Sequence, residues 1–366
     1  MATMDGRPTL LFGKFGETEL AQLQGAAAEA ACDAVHVDTI DEALSWLENN
    51  DGQALVCRTD DAEQLVVRAR SLSRFSRLPV LAVSETLNDL SFVTAYSWGA
   101  DDVVSAAQAR PLVLRLRALP KQAPPPPQET RGTALVAEAD RTRRAAVARI
   151  LRNAGFAVRF AASAEDTRTF ARDPKLTLIV AGTDLVPEIG EFVEQSRSEQ
   201  GQARVVMCCP PRQMKSQRAQ LGSVKGVIIT DSFAAPENVL FAANELLPGD
   251  RSSGRASPRV AHGTSVAFRG AGRELDEQGF TYNVSESGLY VRTLSAPEDE
   301  EAWLELCPPR LDRRVRLVGR VAWRRPFGYN ETATVPPGFG VQIIDGAKRD
   351  LALWTEGYAR LLEAMG

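Results

Sequence analysis

The sequence predicts a multidomain chain: two α/β units, each a doubly wound parallel sheet, are followed by a small antiparallel β-barrel with a C-terminal helix. Three observations predict this architecture. Short apolar strands alternate twice with amphipathic helical segments, two stretches rich in proline, glycine and serine separate the units, and the final third changes to strands with a period of two. At 366 residues the chain is long enough for three such units.

The first unit, residues 1–120, contains five apolar runs that each fit a strand. They are TLLFG, DAVHV, ALVC, PVLAVS and DDVVS. Helical segments lie between them, and in one of these Ile40, Leu44 and Leu47 recur at the spacing of a single helix face. Five strands connected by helices predict a parallel sheet that is covered on both faces.

The second unit, residues 133–247, repeats this order after a proline-rich linker at residues 121–132. Its predicted strands are ALVAE, FAVRFA, LTLIVA, RVVMCC and GVIIT, and Gly155 is predicted to end its first helix. The phrases ALVCRTD and LIVAGTD fall at corresponding places in the two units. The two units therefore look like diverged copies of each other.

The third unit, residues 255–366, overlaps the end of a flexible linker at residues 248–259. In RRVRLVGRVAWRR, apolar side chains alternate with arginines, which predicts a half-buried antiparallel strand. SVAF, LYVRT, AWLEL and GFGVQII supply further short strands for a barrel. In the last helix, one stripe is predicted to pack over an end of the barrel: Leu351, Trp354, Tyr358 and Leu361.

The composition disfavours several classes of function. The formal net charge of -4 argues against binding nucleic acid by overall attraction, and the arginines of the strand at residues 313–325 are interpreted as a solvated surface. The five cysteines have no CxxC spacing, and the two histidines lie near no nucleophile or ligand cluster. No apolar run approaches the ~20 residues of a membrane span. We predict a cytoplasmic protein that is not an enzyme and holds no metal or cofactor.

The two α/β units resemble the receiver domains of bacterial response regulators, which have a flavodoxin-like fold. The resemblance rests on the order of elements and on LPVLAVS followed by WGADDVVSAAQARPLVLRLRALP. It implies an acidic pair that holds Mg²⁺, an acceptor aspartate, a serine or threonine and a lysine. The first unit has Arg58 at the acceptor position and keeps only Ser84, whereas the second keeps Glu138 and Asp140 but has Ala181 or Gly182 at the acceptor position.

Both units are therefore predicted to be pseudo-receivers without phosphoryl chemistry. Asp60 and Asp184, two residues beyond the acceptor positions, are the candidates for a shifted phosphoacceptor, which the missing lysine disfavours. Such domains still offer surfaces for a protein partner or for a second copy of the chain in a homodimer. The alternative is that they serve only as spacers.

Two motifs in the third unit resemble the signature of the PilZ domain. RASPR at residues 255–259 fits RxxxR, and NVSESG at residues 283–288 fits [DN]xSxxG. PilZ domains characteristically bind cyclic di-GMP. The resemblance implies that Arg255 and Arg259 clamp the ligand, while Asn283 and Ser285 hydrogen-bond guanine or hold the pocket edge and Gly288 keeps the turn open.

The predicted function is that of a cyclic di-GMP-binding effector or adaptor. Binding is expected to order residues 250–259 and to change how the barrel sits against the second unit, so that a surface for a partner is exposed or hidden. A PilZ scaffold that binds only protein is the main alternative. A regulator phosphorylated at Asp60 or Asp184 and a nucleic-acid binder that uses the arginine-rich strand are further alternatives.

Overall fold

The computed structural model describes most of the chain. The described residues are 7–59, 62–72, 75–121, 128–198, 203–221, 224–247, 257–272, 276–328 and 334–365. Three domains follow one another: a first α/β domain, a second α/β domain and a barrel. The fold class predicted from the sequence is confirmed.

The first α/β domain is a parallel sheet with the strand order β2-β1-β3-β4-β5. Its elements are β1 (Thr9–Phe12), α1 (Glu17–Glu29), β2 (Ala34–Val37), α2 (Ile40–Asn49), β3 (Ala54–Arg58), α3 (Ala62–Ser71), β4 (Val80–Ser84), α4 (Asp89–Ser97), β5 (Asp102–Ser105) and α5 (Ala109–Ala118). The strands are apolar throughout because helices cover both faces: Leu10 packs into one core and Leu11 into the other.

The second α/β domain repeats this arrangement, with the strand order β7-β6-β8-β9-β10. Its elements are β6 (Thr133–Ala137), α6 (Arg141–Asn153), β7 (Ala157–Ala161), α7 (Ala164–Phe170), β8 (Leu176–Gly182), α8 (Ile189–Ser198), β9 (Arg204–Cys209), α9 (Pro211–Leu221), β10 (Val227–Asp231) and α10 (Asn238–Leu246). Gly155, at φ +86°, lies just beyond α6 and allows the chain to turn there, as predicted.

The barrel is a closed ring of six antiparallel strands in the order β13-β12-β15-β16-β17-β14, which β13 and β14 close by pairing with each other. Its elements are β11 (Val260–Ala261), β12 (Ser265–Gly270), β13 (Glu277–Ser285), β14 (Gly288–Arg292), β15 (Glu301–Leu306), β16 (Val315–Arg325), β17 (Gly338–Gly346) and α11 (Lys348–Met365). The short β11 adds to the outer edge of β13. The predicted stripe of α11 packs against the barrel core, with Trp354, Tyr358 and Leu361 buried.

One aromatic side chain crosses a domain boundary. Phe280 projects from β13 and packs into a core of the first α/β domain, where its ring lies 5.4 Å from that of Phe92 and 5.8 Å from that of Tyr96. The barrel is therefore packed directly against the first α/β domain. In the part of the chain that the structure describes, no helix is both long and apolar enough to cross a bilayer.

Candidate ligand-binding site

The NVSESG motif forms the tip of a β-hairpin. Asn283 and Ser285 lie at the end of β13, Gly288 begins β14, and Ser285 pairs with Gly288. The Ser285 hydroxyl donates a hydrogen bond to the Gly288 carbonyl oxygen at 3.2 Å. The structure thus brings the predicted residues of the second motif to one tight turn.

Gly288 is required by the packing of the strands themselves. A Cβ atom at this position would lie 2.2 Å from the carbonyl oxygen of Val341 on β17. A side chain here would force β14 away from β17, so that the barrel would have to open locally. The role of Gly288 in keeping the turn open for a ligand stays a prediction.

The strand β11 brings the first motif towards the second. Val260 pairs with Val284 and Ala261 with Asn283 in an antiparallel register, so the strand that directly follows Arg259 lies against the second motif. Residues opposite each other in such a pair have Cα atoms ~4.5–5.5 Å apart, a distance that an arginine side chain spans easily. Arg255, the other predicted clamp residue, lies outside the described residues.

Helix α11 holds both motif segments through two aromatic side chains one turn apart. The Trp354 indole Nε1–H donates to the Glu286 carbonyl oxygen at 2.9 Å, in the hairpin turn. The Tyr358 hydroxyl donates to the Pro258 carbonyl oxygen at 2.7 Å, directly before Arg259. The helical stripe in the sequence predicts these side chains only as packing residues. The available signal was that Trp and Tyr carry polar groups that need partners when they are buried.

The phosphoacceptor position of the first α/β domain is occupied by a paired cation. Arg58 ends β3, and its guanidinium lies 2.8 Å from Glu19 and 3.0 Å from Glu85. A guanidinium has no acceptor atom and stays protonated, so it does not serve as a phosphoryl acceptor. Asp60, the shifted candidate, lies outside the described residues.

In the second α/β domain, a carboxylate lies beside the vacant acceptor position. A Cβ atom at Gly182 would lie 2.3 Å from Oδ1 of Asp184. Burial raises the pKa of the neighbouring Glu138, an effect that Asp184 reinforces. Asp140 instead caps α6, because its side chain accepts a hydrogen bond from the Arg143 backbone N–H at 2.7 Å. Within the described ranges, no group of acidic, histidine or cysteine side chains is arranged to hold a metal ion.

The other end of the hairpin lies in a buried ionic cluster, which we call the three-domain junction. Among the described residues, every charged side chain that is buried belongs to it. The first α/β domain contributes Arg70, Asp101, Asp102 and Arg115, the second contributes Arg149 and Glu237, and the barrel contributes Glu277 and Arg292. Four guanidinium groups thus balance four carboxylates.

Each pair of domains is joined by at least one buried ion pair of this junction. Arg149 of the second α/β domain lies 2.8 Å from Asp101 of the first, and Arg292 of the barrel lies 2.7 Å from Glu237 of the second. Arg115 of the first pairs with Glu277 of the barrel. Because breaking a buried pair leaves an uncompensated charge, these contacts fix the domains relative to one another.

The electrostatics of the junction favour the charged forms. Burial alone would raise the pKa of Asp101, but Arg149 and Arg70 outweigh burial and hold the pKa below its ordinary value. Burial alone would lower the pKa of Arg292, yet Glu237 and other neighbours raise it above its ordinary value. The guanidinium of Arg292 also lies 3.3 Å from the ring centre of Tyr96, a cation–π contact.

The arginine-rich strand β16 is mostly a paired surface. Arg314 and Arg316 lie 3.5 and 2.8 Å from Glu305, and Arg324 donates to the backbone carbonyls of residues 297–299. Arg325 departs from the prediction of a solvated face, because it is half-buried and lines a cavity at the three-domain junction. A bulge in the pairing of β16 with β17, between Val321 and Trp323, accompanies this change of environment near the end of the strand.

Comparison with known families identifies the C-terminal part of the chain. Residues 253–356 match the PilZ domain. No curated protein matches the chain. The matched range includes β11, the hairpin and the first half of α11.

Several solved structures are similar to part of the chain. A protein described as a response regulator from Chloroflexus aurantiacus is 22% identical, with 30% of this chain and 95% of that chain covered and a TM-score of 0.29. A CheY-like protein (tadZ) from Pseudomonas aeruginosa is 21% identical, with 32% and 98% covered and a TM-score of 0.27. The Bacillus subtilis inhibitor of motility (MotI/DgrA) is 19% identical, with 32% and 57% covered and a TM-score of 0.24.

Proposed function

We propose that this chain, in which residues 253–356 form a PilZ domain, is a bacterial effector that binds cyclic di-GMP and converts binding into altered protein contacts. One observation supports the proposal. Val260 and Ala261 of β11, which directly follow Arg259, pair with Val284 and Asn283 of the second motif, so that the chain after the first motif runs beside the second.

The chemistry of these residues suits a cyclic dinucleotide. The ligand presents two phosphates and two flat guanines, and an arginine can pair with a phosphate or with the O6 and N7 edge of guanine, or stack on the base. Arg255 and Arg259 would supply these contacts from the segment before β11. Asn283 and Ser285 would supply shorter polar groups at the base of the site.

Binding at this edge has two structural routes to the rest of the molecule. Helix α11 holds both motif segments through Trp354 and Tyr358. Strand β14 connects Gly288 at the motif turn to Arg292 at the three-domain junction within five residues. A shift of β14 on ligand binding would therefore change the contacts of the barrel with both α/β domains, and thereby a surface offered to a protein partner.

Calorimetric titration of cyclic di-GMP tests the proposal. We expect binding by the full chain and a loss of affinity of roughly a hundredfold or more in an Arg255→Ala, Arg259→Ala variant, since hydrogen bonds to charged groups are each worth ~1.5–3 kcal/mol. Arg313→Ala, an exposed arginine in the loop before β16, is the matched control and should bind like the parent. No binding by the parent would leave the protein-binding scaffold as the better function.

Limited proteolysis tests the expected ordering of residues 250–259. Trypsin should cleave after Arg255 more slowly at saturating cyclic di-GMP, because an ordered segment fits a protease poorly. Unchanged cleavage while calorimetry reports binding would show that the ligand is held without this ordering. The Arg313→Ala variant should behave like the parent here as well.

A further inference from the structure

The turn between β15 and β16 lies at the same end of the barrel as the motif turn between β13 and β14. β12 lies between β13 and β15 and pairs with both in antiparallel register, so β13 and β15 run in the same direction and end at the same side. Val266, near the start of β12, pairs with Leu306, which ends β15. The turn after Leu306 therefore lies beside the chain that leads from β11 into β12.

Helix α11 contacts this turn and the first motif through two consecutive residues. A Cβ atom at Gly357 would lie 2.7 Å from the carbonyl oxygen of Pro309. The next residue, Tyr358, donates from its hydroxyl to the Pro258 carbonyl oxygen at 2.7 Å. Pro309 and Pro258 each directly precede an arginine in the sequence. One turn of α11 thus holds two segments that both continue into an arginine.

The arginine after Pro309 occupies a backbone position that favours glycine. The Leu311 backbone N–H donates to the Pro308 carbonyl oxygen at 3.2 Å, which closes a four-residue turn around Pro309 and Arg310. Arg310 has φ +60°, and the third residue of a type II turn needs such a positive φ. Glycine or asparagine is usual there, because other side chains are strained in this conformation. The turn itself therefore gives no reason for an arginine at this position.

The charge of Arg310 acts on the strand that lies beside the second motif. Its side chain is exposed, and no hydrogen bond or ion pair of its guanidinium occurs within the described ranges. Burial lowers the pKa of His262, directly after β11, to about 4; Asp89 opposes this shift and the positive charge of Arg310 assists it. Since β11 pairs with Asn283 and Val284, Arg310 and the second motif flank the same short strand.

We propose, building on the function proposed above, that Arg310 is a further ligand-binding residue whose guanidinium contacts a phosphate of cyclic di-GMP. A guanidinium pairs with phosphate through two parallel hydrogen bonds, and the ligand carries two phosphates. Arg255 and Arg259 would reach the ligand from the segment before β11, and Arg310 would reach it from the β15–β16 turn. The strained backbone at φ +60° is then the cost of presenting this side chain at the end of the barrel.

Calorimetric titration of cyclic di-GMP into an Arg310→Gly variant tests this role. Glycine adopts a positive φ without strain, so the change removes the guanidinium and keeps the turn. We expect binding about tenfold weaker than that of the parent, because a hydrogen bond to a charged group corresponds to about tenfold or more. Arg310→Lys keeps the charge but not the planar fork and should bind with intermediate affinity.

Arg313→Ala is the matched control for these variants. It removes the same charge from an exposed position of the same loop, three residues further along, and should bind like the parent. The melting temperature of Arg310→Gly should not fall below that of the parent, since the substitution relieves backbone strain. Titration of His262 by nuclear magnetic resonance without ligand adds a second readout. The pKa of His262 should rise in Arg310→Gly and stay unchanged in Arg313→Ala.

The results separate this role of Arg310 from the proposed function itself. Parent-like binding by Arg310→Gly, with weakened binding by Arg255→Ala, Arg259→Ala, would overturn the role of Arg310 and leave the proposed function intact. Absence of binding by the parent would overturn both. An unchanged pKa of His262 in Arg310→Gly would contradict the placement of the guanidinium beside β11, whatever the affinity.

Discussion

The two ends of the β13–β14 hairpin differ in how exposed and how paired their polar groups are. At the motif end, Ser285 is half-buried, and Glu286 and Ser287 are exposed in the turn. At the other end, Arg292 is 3% exposed and pairs with Glu237 of another domain. One end presents exposed polar groups in a turn, whereas at the other end the charges already have partners within the protein.

This difference indicates that the two ends of the hairpin have different roles. A site for an external ligand needs accessible groups, and a domain junction needs charges that are paired and dry. The five residues of β14 connect the proposed ligand site to the three-domain junction. We therefore expect a change at the turn to reach the junction directly through β14.

The largest expected effect comes from breaking the junction. Arg292→Ala leaves the buried Glu237 carboxylate without its partner and should lower the free energy of unfolding by about 3–5 kcal/mol. Urea denaturation monitored by circular dichroism measures this. Arg320→Ala, on an exposed position of β16, is the control and should change stability by about 0.5 kcal/mol or less.

A double-mutant cycle sharpens this prediction. If Arg292 and Glu237 act as a pair, then Arg292→Ala combined with Glu237→Ala should destabilise the protein by less than the sum of the two single changes. Additive effects would mean that each side chain acts through other neighbours, and the description of the junction as paired charges would be wrong.

A second prediction concerns the apolar contact of the same hairpin. Phe280→Ala removes a ring that is 3% exposed and packs against Phe92 and Tyr96 of the first α/β domain. We expect a loss of about 3 kcal/mol, within the range for buried aromatic side chains. Trp303→Ala, which removes an aromatic side chain that is 49% exposed, should cost far less. Equal losses in urea denaturation would show that Phe280 does not join the two domains.

At the motif end the expected effects are smaller. Tyr358→Phe removes only the hydroxyl that donates to the Pro258 carbonyl oxygen, a hydrogen bond worth about 0.5–1.5 kcal/mol. Trypsin cleavage after Arg259 should accelerate by roughly two- to tenfold, because local opening becomes easier. Tyr282→Phe loses a comparable hydrogen bond at the junction and should leave this cleavage unchanged. Equal acceleration in both variants would contradict a local role for Tyr358.

The smallest expected effect is the pH dependence of stability that arises from His262. Burial lowers the pKa of His262 from 6.5 to about 4, with Asp89 opposing and Arg310 assisting the shift. Between these values the unfolded chain binds a proton that the folded chain excludes, so stability should fall as pH drops from about 6.5 to about 4. Urea midpoints should depend less on pH in a His262→Gln variant, and an unchanged dependence would mean that His262 is not the responsible group.

The sequence predicted the fold well because the fold depends on local patterns. Five apolar runs with helices between them identify each sheet, and the alternation of Val315, Leu317 and Val321 with arginines identifies β16. The two motifs identify the residues of the proposed site, because each motif is short and combines specific residue types at a fixed spacing.

Local sequence patterns do not predict the three-domain junction. Arg115 and Glu277 are 162 positions apart, and each lies in a segment that reads as an ordinary helix or strand. A charged residue in such a pattern is expected to be solvated, and only the packing of domains buries it. For the same reason the sequence predicts a solvated position for Arg325. It predicts that Trp354 and Tyr358 pack against the barrel, but not that their polar groups bind the two motif segments.

Hydrogen exchange with and without cyclic di-GMP tests most directly the claim that the motif turn and the junction act together. We expect altered exchange in α4, β5 and α10, which surround Arg292, together with protection of residues 257–292. We also expect Arg259→Ala to lose both effects at the same ligand concentration. Altered exchange only within residues 257–292 on binding would show instead that the ligand site is independent of the junction.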